Sequence, residues 1–179
     1  MREHLTTGEH LALSAVLPED ERLVYDLWRD PEVQRNLNFR AADESFEQWL
    51  RDERRRPSWL RCAIIAPAED AFVGFVSLGV AAHDPELIVL LRSEWRGMGY
   101  GTEAAGLAVD YGFRYMGLTT IGGGAFDFNR VSQRMLEKVG FVRRPEDDGR
   151  YDNAWGEGQV VELDYVMDWA RWDSLRGSG

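Results

Sequence analysis

The sequence has a single cysteine, Cys62, in 179 residues. That excludes an internal disulfide and any cysteine-based metal cluster. Within RCAII the thiol reads as a small buried apolar side chain. Long hydrophobic runs are missing too: none approaches the roughly 20 residues that cross a bilayer. The opening MREHLTTGEH is polar and holds no signal-peptide core. A cytoplasmic location, with no membrane partner, is the resulting expectation. Positive charge is in deficit, 21 Lys and Arg against 31 Asp and Glu, for a net charge of −10. A protein that coats nucleic acid needs a basic surface, so no nucleic-acid partner is expected. An acidic field serves solubility and also attracts cationic substrates. The one basic run, RDERRR at 51–56, contains Asp52 and Glu53 and reads as a solvated helix end.

What is present suits one domain over residues 1–179, since the length allows a proper core for one and is short for two. HLALSAVL (10–17) reads as a first strand and 19–28 as a helix. Asp30-Pro31-Glu32 restarts a helix, and Ser45 with Gln48 forms a capping-box pair. SWLRCAIIA (58–66) and AFVGFVSLGV (71–80) predict a hairpin, and ELIVLLR (86–92) a fourth, central strand. A helix is predicted over 102–115, with Ala104, Leu107, Ala108, Tyr111 and Tyr115 on its apolar stripe. A fifth strand follows at 118–126, then a helix over 129–139 closed by Gly140. FVRR (141–144) and QVVELDYVMDW (159–169) supply two last strands, joined by a turn-rich link. The fold class is mixed α/β: about seven strands in one sheet, flanked by helices.

The most informative stretch is EWRGMGYGTE (94–103), in which Gly97, Gly99 and Gly101 alternate where the fourth strand ends and a helix begins. N–H groups at a helix start have no partner within the helix, carry partial positive charge and suit an anion. Spacing separates the versions of this recipe. A dinucleotide fold wants G-x-G-x-x-G, but Thr102 stands where the last glycine belongs. A nucleoside-triphosphate loop wants G-x-x-x-x-G-K-[ST], and no such lysine exists. R-x-x-G-x-G remains, on Arg96, Gly99 and Gly101.

IVLLRSEWRGMGYGTEA, followed after a helix and a strand by NRVSQRMLEKVGF, resembles the GNAT family of acetyl-CoA-dependent N-acetyltransferases. DPEV (30–33), RGMGYGTEA (96–104) and N-x-x-S-x-x-x-L-E-K-x-G-F (Asn129 to Phe141) resemble its RimJ/RimL-like branch. The resemblance implies a mostly antiparallel sheet splayed between strands 4 and 5, with the acetyl-pantetheine arm of coenzyme A in the gap. It implies that main chain at Leu90, Leu91 and Arg92 binds that arm, and that the Leu91 N–H donates to the thioester oxygen. Arg96, Gly97, Met98, Gly99, Tyr100, Gly101 and Thr102 would cradle the diphosphate. Asn129 would touch pantetheine, or serve as a plain N-cap. The co-substrate is acetyl-CoA, no metal is expected, and the acceptor is an amine, either a protein N-terminus or a small cationic amine. A homodimer fits the branch.

Many family members place a tyrosine, acting as acid on the leaving thiolate, where this chain has Leu136. Ser132 is the replacement candidate; its alternative is a helix hydroxyl bonded to its own backbone. A lysine-type amine must shed a proton at a cost of about 4–5 kcal/mol at pH 7, so a base is needed. Glu86, opening the fourth strand, is the candidate, with His83 and Asp84 as alternatives; His4 and His10 stand too near the N-terminus. Gly122-Gly123-Gly124 reads either as a bulge or as room for cofactor or acceptor. Trp155 either lines the acceptor pocket or packs as core. The class set against the acetyltransferase is a non-catalytic acyl-CoA-binding module on the same fold.

Overall fold

The computed structural model describes residues 2–79 and 84–177; the expected strand end at Val80 and the base candidate His83 lie outside them. Local signals hold wherever a side chain can close a helix end. Asp30 accepts from the N–H groups of Glu32 and Val33 and starts α2 (Pro31–Asn36). Ser45 accepts from Gln48 and starts α3 (Phe46–Glu53). Ahead of them, α1 (Pro18–Arg29) has Pro18 in its first turn, and the buried carboxylate of Asp20 accepts the Leu17 N–H. Arg2 pairs with that same carboxylate at 2.7 and 2.8 Å, which offsets its burial.

Among the described residues there are nine strands in one sheet: β1 (His4–Thr7), β2 (Ala12–Ala15), β3 (Ser58–Ala66), β4 (Ala71–Gly79), β5 (Glu86–Leu91), β6 (Thr120–Phe126), β7 (Val142–Arg143), β8 (Gly149–Asp152) and β9 (Gln159–Asp168). The spatial order is β1-β2-β3-β4-β5-β6-β9-β7, and β8 pairs with the first half of β9 while β7 pairs with its second half. Every pairing is antiparallel except β5 with β6. The count of seven strands is corrected by two: β1 and β8 are four residues each, mostly exposed, and carry no apolar alternation to announce them. The last strand ends at Asp168, whose carboxylate caps α6 (Trp169–Arg176), a helix the pattern did not reveal.

The two faces of the sheet carry different layers. α4 (Tyr100–Tyr115) and α5 (Arg130–Val139) pack on one, around Leu78, Ile121, Leu136 and Met167. α1 and α2 cover the other, over Ala63, Ile65, Phe75 and Leu90. The buried stripe of α4 is Ala104, Ala105, Ala108, Val109, Gly112 and Phe113, rotated from the expected one. Tyr115 is 70% exposed, because small residues let α4 lie close to the sheet while the larger ones are left at the rim.

β5 is held to β4 over its whole length, from Gly79↔Glu86 to Gly74↔Leu91. It meets β6 at one position, Glu86↔Gly122, and the strands then part. Gly74 sits behind the parting, and any Cβ there would collide with the main-chain oxygen of Leu90. Gly74→Ala is therefore expected to cost about 1–3 kcal/mol. Urea unfolding checks it: the midpoint should fall with an unchanged slope, and an unmoved midpoint would contradict the close approach.

Candidate functional site

The parting of β5 and β6 leaves main chain exposed on known residues. Arg92 donates its N–H to Val73 at 3.0 Å, so by the alternation of an antiparallel pair Arg92, Leu90 and Ile88 turn their main-chain groups to β4. Val89 and Leu91 turn theirs to the gap. Of the main chain expected to face the cofactor, Leu90 and Arg92 are instead turned to β4, and Leu91 is turned to the gap. The Leu91 carbonyl is taken by the Arg96 Nε at 3.0 Å; its N–H remains directed into the opening.

A short 3-10 turn, Ser93–Trp95, leads from β5 into the glycine turn. Gly97 and Gly99 have φ of +79° and +87°, which side chains with a Cβ rarely adopt, and open space lies where a Cβ would stand. Gly99 is the N-cap of α4, which begins at Tyr100, two residues earlier than expected. Thr102 and Glu103 both donate to the Gly99 carbonyl. Among the described residues the N–H groups of Gly97, Met98, Gly99, Tyr100 and Gly101 find no acceptor in the protein. Consecutive free N–H groups at a helix mouth form an anion cradle. Tyr100 stacks on Trp95, which fixes the loop from below. His10 also arrives here, 6.0 Å from the Tyr100 ring and 3.2 Å from the Glu103 carboxylate. Its early sequence position had concealed this, because β2 lies beside β3 and brings the N-terminal segment across the sheet to α4.

Arg96 does not reach toward the cradle. Its guanidinium bonds Asp30 at 2.8 Å and Glu32 at 2.5 Å as well as the Leu91 carbonyl. Burial raises the Asp30 carboxyl pKa, but the Arg96 hydrogen bond and the α2 N–H groups outweigh it and hold that pKa below its usual value. The side-chain role expected for Arg96 is thus corrected from phosphate contact to a tie. It joins the end of β5, the glycine turn and the start of α2. The DPE and R-x-x-G-x-G motifs, separated by more than sixty positions, form one cluster.

Asn129 is buried at 7% exposure, caps α5 by accepting from the Ser132 N–H at 3.1 Å, and donates to the Asn36 carbonyl at 3.4 Å. The N-cap reading is therefore observed, at the end of the gap. The Ser132 hydroxyl makes no hydrogen bond among the described residues, so the backbone-bonded alternative is not what is seen. Leu136 is 1% exposed and packs on Gly123, where an added Cβ would stand 2.8 Å from its Cδ2. Aliphatic packing has replaced the family's tyrosine there.

The three glycines of β6 are not a bulge: the register with β9 runs unbroken from Thr120↔Asp168 to Phe126↔Glu162. Gly123 faces Leu136, whereas Gly122 and Gly124 face a cavity of about 360 Å³ on the other side of the sheet. Five carboxylates line it, Asp84, Glu86, Asp147, Glu162 and Asp164, against one cation, Arg144. Arg144 bonds Asp84, Asp147 and Asp164 at 2.7–3.1 Å, and the Asp164 hydrogen bond leads in raising its pKa. Glu86 and Glu162 have no cationic partner among the described residues. Burial pushes both carboxyl pKa values up; the charges of Glu162 and Asp164 add to the effect on Glu86. Glu162, Asp164 and Tyr151 are the site residues that sequence reading missed; they lie on β8 and β9, remote in sequence from the glycine turn. Trp155 lies outside this cavity, half-buried and in neither core cluster, with Arg35 4.9 Å over its ring. Cys62 is wholly buried and its thiol is pushed up to about 12, which withholds it from chemistry.

The comparisons agree with this geometry. Residues 10–142 match the family model described as an acetyltransferase (GNAT) domain, and the chain belongs to that family. Among solved structures, the fold is shared with a GNAT acetyltransferase from Bacillus anthracis at 21% identity and a TM-score of 0.73, covering 90% of this chain and 96% of that one. Spermidine N-acetyltransferase from Vibrio cholerae, in complex with CoA and spermine, matches at 18% identity and a TM-score of 0.76, covering 92% and 99%. Ribosomal-protein-S5-alanine acetyltransferase from Vibrio fischeri matches at 16% and 0.68, covering 93% and 97%.

Two outcomes follow from the geometry. Gly99→Trp forces a side chain into the left-handed region, at about 1–2 kcal/mol, and fills the open cradle. Calorimetric titration should show coenzyme A affinity falling at least about tenfold; retained affinity would contradict the cradle. Glu86 has its folded pKa above the unfolded value of about 4.3, so the native state binds the extra proton between the two. Stability due to this group therefore falls as pH rises through that window. Glu86→Gln removes the effect, so the melting temperature of the variant relative to wild type should be higher at pH 8 than at pH 4. A pH-independent difference would contradict the raised pKa.

Proposed function

We propose that the protein is an N-acetyltransferase that moves the acetyl group of acetyl-CoA directly to a primary amine on a small cationic acceptor, with both substrates held at once. The observation that carries this reading is the single β5–β6 pair, which opens main chain toward a glycine cradle on one side and an acidic cavity on the other. When bound, acetyl-CoA supplies a thioester, an acyl group with a tolerable leaving group. The free N–H groups of Gly97 to Gly101 fit its diphosphate, and those of Val89 and Leu91 fit a pantetheine amide as one more strand would.

On this reading the Leu91 N–H, turned into the gap, donates to the thioester oxygen as it gains charge, and the Ser132 hydroxyl, in the first turn of α5, donates toward sulfur. Asn129 holds that turn and borders the same opening. The acceptor side is read from charge: five carboxylates against one guanidinium stabilise an ammonium group and repel anionic acceptors. A small cationic amine suits the charge of this acidic cavity and its volume of about 360 Å³. The DPEV motif, built into the Arg96 tie, supports placement in the RimJ/RimL-like branch.

Thiol release from acetyl-CoA over a panel of amines tests the reading. We expect spermidine and 1,3-diaminopropane to exceed propylamine at least about tenfold in kcat/KM, with a gap that narrows at high salt. Tight coenzyme A binding with no thiol release for any amine would favour a non-catalytic binding module instead.

A further inference from the structure

Among the described residues, two carboxylates of the acidic cavity stand without a cation, and their heights along the gap differ. Because β5 and β6 run parallel from Glu86↔Gly122, Ile88 lies level with Gly124 and Leu90 level with Phe126. Glu86 is thus at the closed end of the gap. Val89 and Leu91, whose N–H groups face the opening, lie three and five residues further on, about 10 and 17 Å at 3.3 Å per residue. A side chain on Glu86 does not span that interval. Glu162 starts opposite Phe126 on β9, and its carboxylate leans over Gly124, where any Cβ would collide with it. Its carboxylate therefore stands level with Ile88, one residue from Val89 and nearer the open end of the gap than Glu86. The absence of side chains at Gly122 and Gly124 leaves the floor between the two carboxylates clear.

Their surroundings distinguish them further. Tyr151, on β8, lines the cavity with Glu162 and its hydroxyl favours the ionised carboxylate, while among the described residues no basic side chain pairs with Glu162. Asp164 and Asp84, the other acids close by, are held by Arg144, and Asp84 also accepts from Thr120. Arg144 and Asp147 complete the charged groups around the pair. Neither Glu162 nor Glu86 is held by a cation among the described residues; Glu162 lies further up the gap and Glu86 at its closed end.

On the acetyltransferase reading, on which this rests, we infer that Glu162, and not Glu86, is the catalytic base, while Glu86 anchors a second positive charge of the acceptor. The acceptor ammonium gives one proton to the Glu162 carboxylate. The neutral nitrogen then forms the C–N bond as the C–S bond breaks. The nitrogen loses its second proton, the thiolate gains one, and the Glu162 proton passes to solvent, so the reaction releases one proton overall. Glu86 and the carboxylate over Gly124 line one cavity at different heights along the gap, so an acceptor with two positive charges can meet both. A diamine end or a polyamine fits; a monoamine leaves Glu86 unpaired.

The test uses the full chain and the variants Glu162→Gln, Glu162→Asp, Tyr151→Phe and Glu86→Gln, each first checked for cooperative melting. Binding is read without acetyl-CoA, by calorimetric titration with 1,3-diaminopropane and with propylamine. Glu86→Gln should weaken the diamine at least tenfold and leave propylamine unmoved. In turnover with spermidine, Glu162→Gln should lose about a hundredfold in kcat and the acidic limb of the pH–rate profile, with coenzyme A affinity retained. Glu162→Asp should recover part of the rate. Tyr151→Phe removes a hydroxyl that favours the ionised carboxylate, so the limb should move to higher pH. Retention of rate and limb by Glu162→Gln, with both lost in Glu86→Gln, would overturn the assignment and leave the acetyltransferase reading intact. A wild-type chain that binds coenzyme A and releases no thiol with any amine would overturn both.

Discussion

The structure depends on β5 being satisfied on one edge only. Along β4 its main-chain groups are paired from Glu86 to Arg92; along β6 the pairing stops after one residue. Unpaired main chain inside a protein is costly unless something else meets it. Here one exposed group, the Leu91 carbonyl, is met by Arg96, and the remainder faces an opening. The cradle at Gly97 to Gly101, the α5 cap at Asn129 and the acidic cavity all lie around that opening. Close contact at Gly74 and a tie from Arg96 to α2 keep the strand where it is without a second neighbour.

The sheet also separates two kinds of electrostatics. At the end of β5, free N–H groups and the α4 dipole offer partial positive charge. Across β6, carboxylates outnumber cations. On the proposed reading, a ligand with an anionic diphosphate and one with an ammonium group take different sides of the same gap. The net charge of −10 has a structural location, at least in part. It is concentrated where glycines remove the side chains that would fill the cavity.

Much of this was legible in the sequence, and the reasons are physical. The helix starts at Asp30 and Ser45 are local hydrogen bonds, so a few residues suffice to specify them. The strand–glycine–helix unit is also local, and the splay followed from resemblance to a family that the chain proves to belong to. The short edge strands β1 and β8 were invisible, because a four-residue exposed strand owes its existence to its neighbour and not to its own pattern. Arg96 was misread for a similar reason: nothing near it in sequence shows that Asp30 and Glu32 lie within bonding distance. Glu162 and Tyr151 escaped notice because only the β6–β9 and β8–β9 registers bring them to the cavity.

The central claim, that an incompletely paired β5 and the glycine turn together receive coenzyme A through main-chain groups, is most directly tested by amide hydrogen exchange with and without coenzyme A. The account predicts slowed exchange at Gly97 to Gly101, Val89 and Leu91, with Leu90 and Arg92, already bonded to β4, unchanged. Binding of coenzyme A that leaves the Gly97 to Gly101 and Leu91 amides exchanging at their free rates would contradict it.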